Sequence, residues 1–247
     1  MPRAALVVVA ARNEAQRLGE TLTALASAFP DAPVWVADDG SSDDTAAVAT
    51  GAGARVVSSG GHAGKGAAMT LAVRQALGTR AVRDDTADGD TADGDAAARG
   101  RVAQEAVVVL CDGDLGESAG RLGALADAVR AGRADVAIAA FQTRVGGGFG
   151  LALGFARRAI RRRCGFDAAA PLSGQRAVRA GALMALLPFA DGYGMEVGMT
   201  IDAVHSGFPV VEIELDLSHR ATGRTPAGFA HRARQLRDIA RAQAARR

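Results

Sequence analysis

Two carboxylates separated by one glycine, Asp112-Gly113-Asp114, directly follow the apolar run Ala106–Cys111. Glycine lets the chain turn sharply, bringing both carboxylates within reach of one divalent cation. A metal held there can bridge two phosphates and neutralise the charge that builds as a diphosphate leaves. The triplet recurs at Asp88-Gly89-Asp90 and Asp93-Gly94-Asp95, but only Asp112 and Asp114 follow a strand-like run. Turn formation and helix capping are the structural alternative for the pair. In Asp38-Asp39-Gly40-Ser41-Ser42, two adjacent carboxylates precede a helical pattern. One suits a nucleobase N–H, while Ser42 or Asp43 caps the helix; capping alone does not explain two like charges in contact. The stretch Gly60–Gly66 contains Lys65, the single lysine beside 28 arginines. Such a loop offers backbone N–H groups and a compact ammonium to a phosphate. No Ser or Thr follows the lysine, so it is not a Walker A sequence.

In the second half, Glu196 opens a helical pattern after the glycine turn Gly192-Tyr193-Gly194. It is suited to act as general base toward an acceptor hydroxyl; a helix N-terminal Glu favoured by the dipole is the structural alternative. Ser173-Gly174-Gln175-Arg176 carries donors for sugar hydroxyls or an acceptor phosphate, or else makes a tight turn before a helix. Arg220 and Arg224 offer planar guanidinium forks to a diphosphate. His62, His205 and His231 are read as structural.

These segments need elements to hold them. Strand-like runs at Leu6–Ala10, Val34–Ala37, Arg55–Ser58, Ala106–Cys111 and Asp135–Ala139 alternate with helical patterns at Glu14–Ala28, Asp43–Thr50, Gly64–Leu77 and Ser118–Ala131. Such alternation predicts an α/β fold, a Rossmann-like and mostly parallel sheet with helices on both faces. Ligands of such sheets bind beyond the carboxyl ends of the strands, where all the acidic and glycine-rich segments of the first half fall. Thr79–Gly100, with its repeated TADGD, reads as a mobile insertion. After Ala140 the alternation ends. Helices are expected at Ala177–Leu187 and Met195–Ser206, a strand at Pro209–Leu217, and a basic helix over Gly228–Arg246.

Taken in order, AARNEAQRLGETL, VADDGSSDDT, GHAGKGAAM and VVLCDGDLGE are similar to the nucleotide-binding half of family 2 glycosyltransferases with the GT-A fold. PLSGQRAV, GYGMEVGMTIDAV and LDLSHRATGRTPAGFAHR extend the likeness toward small bacterial polyprenyl-phosphate glycosyltransferases and glucosyl-3-phosphoglycerate synthases. The resemblance implies one domain over residues 1–247: a nucleotide-sugar half (1–140) with the insertion 79–100, and an acceptor-side half (141–247). It also implies a donor site from Ala11, Glu14, Asp39 and Lys65, with Asp112 and Asp114 at ribose, phosphate and metal. His219, which closes LDLSH, matches a histidine that related enzymes use as a further metal ligand. The expected reaction moves a sugar from a UDP- or GDP-sugar to a hydroxyl or phosphate acceptor. Asp114 and His219 would hold Mg2+ or Mn2+, Glu196 would act as base, and Gly174, Gln175, Arg220 and Arg224 would bind donor or acceptor.

Composition bounds the alternatives. A net charge of +2 does not suggest a nucleic-acid partner, although the tail from Arg220 carries eight arginines and one acid, Asp238. Such a tail could meet phosphate groups or the inner face of a membrane, or simply be a solvated helix. Two cysteines make no disulfide framework, and no leader or spanning segment is evident, so a cytoplasmic protein is expected. A phosphate-bearing or lipid-linked acceptor and a homodimer stay open. The competing functions are a non-catalytic nucleotide-sugar-binding protein and a sugar-phosphate nucleotidyltransferase. The latter would show a G-x-G-T-R loop where this chain has Ala11-Arg12-Asn13-Glu14.

Overall fold

A computed structural model describes residues 5–86, 105–141, 150–192, 194–218 and 236–246. Seven strands form one sheet: β1 (Ala5–Ala11), β2 (Val34–Asp38), β3 (Arg55–Ser58), β4 (Val107–Asp112), β5 (Val136–Phe141), β6 (Arg176–Arg179) and β7 (Val210–Leu215). Their order is β3-β2-β1-β4-β6-β5-β7, with β6 antiparallel to both neighbours and every other pairing parallel. The helices are α1 (Ala15–Ala28), α2 (Thr45–Gly51), α3 (Lys65–Thr86), α4 (Gly123–Arg130), α5 (Gly150–Cys164), α6 (Ala180–Ala185) and α7 (Gly194–His205). A 3₁₀ segment at Gly116–Leu122 leads into α4. A last helix, α8, covers residues 236–244.

β1 and β4 are apolar without alternation because both faces of the sheet are covered. Val7, Val9, Val107 and Val109 pack under Leu18, Leu22 and Leu25 of α1. Leu6, Val8, Val108 and Leu110 pack against Met69, Ala72, Val73 and Ala76 of α3 and Met195 and Met199 of α7. With few aromatics, aliphatic side chains fill most of the core. A third cluster joins Ile160 of α5, Val197 and Ile201 of α7 and Ile239 of α8.

Two elements differ from the sequence expectation. Residues 176–179 extend as β6, so the helix expected at Ala177–Leu187 shortens to α6. Four residues are too few for periodicity to separate strand from helix, and the gap between β4 and β5 decides. The stretch expected as insertion from Thr79 begins as helix, since α3 runs on to Thr86. Its Ala, Arg and Val side chains lack the large apolar residues that mark a buried face, yet permit helix. The rest of the insertion, and residues 228–235 of the expected last helix, lie outside the described residues.

α8 seats on α7 through missing side chains. A Cβ on Gly192, Gly194 or Gly198 would lie 2.3 Å from Asp238 Oδ2, 2.8 Å from Ala242 Cβ and 2.8 Å from Arg246 Cζ, respectively. Asp238, Ala242 and Arg246 recur at four-residue spacing, one stripe of a helix. Arg246 also forks onto both carboxylate oxygens of Asp202, at 2.7 and 2.8 Å from Nε.

Candidate active site

β1, β2 and β4 end side by side, Ala11 facing Asp38 and Ala10 facing Asp112 in register. The loop after β1 turns through Asn13, a non-glycine residue at φ 55°. Its side-chain oxygen accepts from the Ser42 N–H at 2.8 Å, and its own N–H donates to Ser41 Oγ at 3.0 Å. The Glu14 N–H, at the start of α1, donates to Thr45 Oγ1 at 2.9 Å. Asp38 accepts the Ser41 N–H at 3.0 Å and so shapes its own turn. Asp43 accepts the N–H groups of Thr45 and, across the loops, Ala15. The Thr45 hydroxyl, followed by those N–H groups, holds the Asp43 carboxyl below its ordinary value.

Asp39 is buried, and the structure aims it at the glycine loop. Its Oδ1 accepts the N–H groups of Ala63 and Gly64, both at 2.8 Å. His62 Nδ1 lies 2.7 Å from Oδ2, and the other ring nitrogen meets Arg12 Nη1 at 2.9 Å. An arginine can only donate, so Nε2 accepts and the proton on Nδ1 goes to Asp39. The loop's N–H groups at 63 and 64 therefore face a carboxylate of the protein, where the sequence suggested a phosphate. His62, read as structural from sequence, bridges Asp39 and Arg12. Gly40, at φ 71°, permits this approach, because a Cβ there would lie 2.8 Å from the Gly61 carbonyl carbon.

Lys65, the first residue of α3, leaves the loop in the other direction. Its Nζ lies 2.6 Å from Asp112 Oδ1 and 2.8 Å from Glu196 Oε1. Burial opposes its charge, but the two carboxylates outweigh that cost and raise its pKa above the usual lysine range. The other Asp112 oxygen accepts from Gln175 Nε2 at 2.7 Å, and Ser173 Oγ donates to Gln175 Oε1 at 3.1 Å. One network thus joins β4, α3, the first turn of α7 and the loop before β6. Glu196 is 4% exposed, yet its ion-pair partner remains 26% exposed at the side chain, so the cluster is reached by solvent from the lysine side.

Gly174 makes room for the cluster, and Gly66 makes room for the backbone at Ala190. A Cβ on Gly174 would lie 2.6 Å from Lys65 Nζ and 2.9 Å from Asp112 Oδ2, and one on Gly66 would lie 1.9 Å from the Ala190 carbonyl oxygen. Asp114 stands on the turn after Gly113, whose N–H donates to Ala10 O and whose carbonyl accepts the Thr21 hydroxyl, both at 2.9 Å. The Gly116 N–H returns to the same hydroxyl at 2.9 Å. Among the described residues no group of three or more His, Cys, Asp or Glu side chains is assembled for a metal ion. Two hard carboxylates on one strand-end turn fit Mg2+ or Mn2+ when phosphate oxygens and water complete the shell. His219, Arg220 and Arg224 lie outside the described residues. The chain reaches them from Ser218, whose N–H donates to Ser118 Oγ at 3.0 Å and whose hydroxyl donates to the Leu115 carbonyl at 3.1 Å, one residue beyond Asp114. No described helix is long and apolar enough to cross a membrane.

Residues 6–82 match the family model described as glycosyl transferase family 2. No curated protein matches the chain. Among solved structures, a glucosyl-3-phosphoglycerate synthase from Mycobacterium tuberculosis, in complex with Mn2+, UDP-glucose and phosphoglyceric acid, superposes with a TM-score of 0.66 at 24% identity, covering 99% of this chain and 79% of that one. A complex of that synthase with Mn2+, UDP and phosphoglyceric acid gives 0.68 at 23%, covering 99% and 78%, and one with Mg2+ and UDP gives 0.66 at 23%, covering 99% and 79%. The mixed, mostly parallel sheet and these superpositions give the same fold. The chain has the GT-A glycosyltransferase fold, and its first third resembles family 2 of those enzymes.

Proposed function

We propose that the protein is a metal-dependent glycosyltransferase that moves a sugar from a nucleotide diphosphate donor to a hydroxyl or phosphate-bearing acceptor. The observation that carries this reading is the convergence of Lys65, Asp112, Gln175 and Glu196 beside Asp114 at the carboxyl edge of a GT-A sheet. Asp39, with its loop, would line the base end, while Ala11 and Glu14 close the donor site beside it. Asp114, joined by His219, would be the principal ligand of Mg2+ or Mn2+, with Asp112, held by Lys65 and Gln175, beside it at the phosphates. A bound ion supplies charge neutralisation at the diphosphate. Lys65 would add positive charge there, and the family resemblance gives Arg220 and Arg224 the same role. Gly174 leaves space against Lys65, and Gln175 fixes Asp112 from the acceptor side.

In an inverting transfer the acceptor oxygen bonds to the anomeric carbon as the bond to the diphosphate breaks, and Glu196 takes the hydroxyl proton. In a retaining transfer the departing phosphate takes that proton and Glu196 holds sugar or acceptor. UDP-glucose and a phosphoglycerate, bound by the similar synthases, are the first donor and acceptor to test. The test is donor turnover with Mn2+ by the native protein and by Asp114→Ala, read beside the melting temperature. Metal-dependent turnover that disappears in a variant melting normally supports the reading. Equal turnover by both proteins, or none with any UDP- or GDP-sugar despite donor-induced stabilisation, points instead to a different metal site or to a binding protein.

A further inference from the structure

Arg176 on β6 is 1% exposed and is the largest fully buried side chain among the described residues. Its Nε donates to the Ser173 carbonyl at 3.0 Å, Nη1 to Thr200 Oγ1 at 3.1 Å and Nη2 to the Glu196 carbonyl at 2.9 Å. The last two acceptors are linked to each other, since the Thr200 hydroxyl also donates to the Glu196 carbonyl at 3.0 Å. None of the three is a carboxylate. Burial lowers the guanidinium pKa to about 10, against the fields of Glu196 and Glu212, so the group is still charged at neutral pH. Glu212 itself accepts the N–H groups of Ala169 and Ala170 at 2.7 and 2.8 Å. A buried cation without a direct ion pair is a poor source of stability, and an apolar side chain of similar volume often serves a core as well or better. Its geometry suggests a different role.

Resting on the proposed transfer reaction, we infer that Arg176 is the positioning residue of this site: its planar fork fixes the first turn of α7 to the loop before β6, and so holds Glu196 and Gln175 on the Lys65–Asp112 pair. Ser173 lies two residues before Gln175, which reaches Asp112. The Glu196 carbonyl belongs to the residue whose carboxylate reaches Lys65. Each of the two arms that close on the ion pair is thus gripped at its backbone by the same guanidinium. Apart from it, the arms meet through apolar packing of Ala168 and Leu172 on Val197 and Ile201, which sets no polar geometry, and through the ion pair itself.

The chain offers a direct probe, because Lys65 is its only lysine. Amine acetylation followed by peptide mass mapping separates Lys65 from the N-terminal amine and reports how firmly the ammonium is clamped, with or without substrate. Arg176→Met removes all the donors at similar volume, and Arg176→Gln keeps part of them. Measured well below the melting temperature, the protection of Lys65 from acetylation should be lost progressively in the order native, Gln, Met. Turnover of UDP-glucose should show kcat lower by about 10²-fold in the Met variant with little change in donor KM, as expected for a misplaced reacting group. Native Lys65 reactivity in both folded variants, with only the melting temperature reduced, overturns the inference and leaves Arg176 a packing residue. The labelling result judges Arg176, and turnover by the native protein separately judges the transferase reading.

Discussion

Adding one methyl group at Gly174 should separate activity from stability. The Cβ of Gly174→Ala would lie 2.6 Å from Lys65 Nζ and 2.9 Å from Asp112 Oδ2. Ordinary nonbonded contact is about 3.5 Å, so the ammonium must retreat by about 1 Å. It can do so cheaply, because it is the end of a flexible side chain. The backbone at Gly174 is not among the positive-φ glycines and accepts an alanine without strain. The expected loss of stability is therefore below ~1 kcal/mol, at the small end of overpacking costs. The ion pair at 2.6 Å cannot survive such a shift unchanged. Donor turnover should fall by about 10²-fold, the usual consequence of misplacing a reacting group by 1 Å. Steady-state kinetics with UDP-glucose and Mn2+, beside a thermal melt, reads both quantities. Gly66→Ala supplies the contrast: its Cβ meets backbone, 1.9 Å from the Ala190 oxygen, which cannot step aside. That variant should lose at least about 1–3 kcal/mol and much of its soluble yield. Full activity in Gly174→Ala, or an equal loss of stability in the two variants, would refute the steric reasoning.

Arg246→Ala removes the fork onto Asp202 and the packing over Gly198; it should lower stability by about 1 kcal/mol in urea titration and expose α8 to protease before the rest of the chain. Asp43→Ala tests pH linkage. Because the folded carboxyl is held below its ordinary 3.8, its contribution is present above that pH and is lost as pH falls through the folded value. The melting-temperature gap between native protein and variant should therefore be constant near neutrality and close below pH 3.8; a gap that widens in acid would contradict the assigned hydrogen bonds.

Much of the architecture can be read along the chain because local rules and burial agree there. Strands covered on both faces must be continuously apolar, and the polar segments after them must sit at the carboxyl edge; this already placed Asp39, Lys65, Asp112 and Asp114 on one side of a mostly parallel sheet. The antiparallel β6 escaped, since Arg176–Arg179 has no period of its own and extends only because β4 and β5 leave a slot between them. The partners of each charge escaped as well. Sequence aimed the glycine loop at phosphate, but folding turned its N–H groups at 63 and 64 onto Asp39 and drew His62 between Asp39 and Arg12.

By itself, then, the sequence determined which chemical groups this protein has and at which edge of the sheet they emerge, because strand burial and turn formation act over a few residues. Only the tertiary structure decided that Lys65 answers to Glu196, 131 positions away, and that Arg176 grips both arms around it. Contacts at such separation depend on how helices settle on the sheet, and that is fixed by the packing of the whole core.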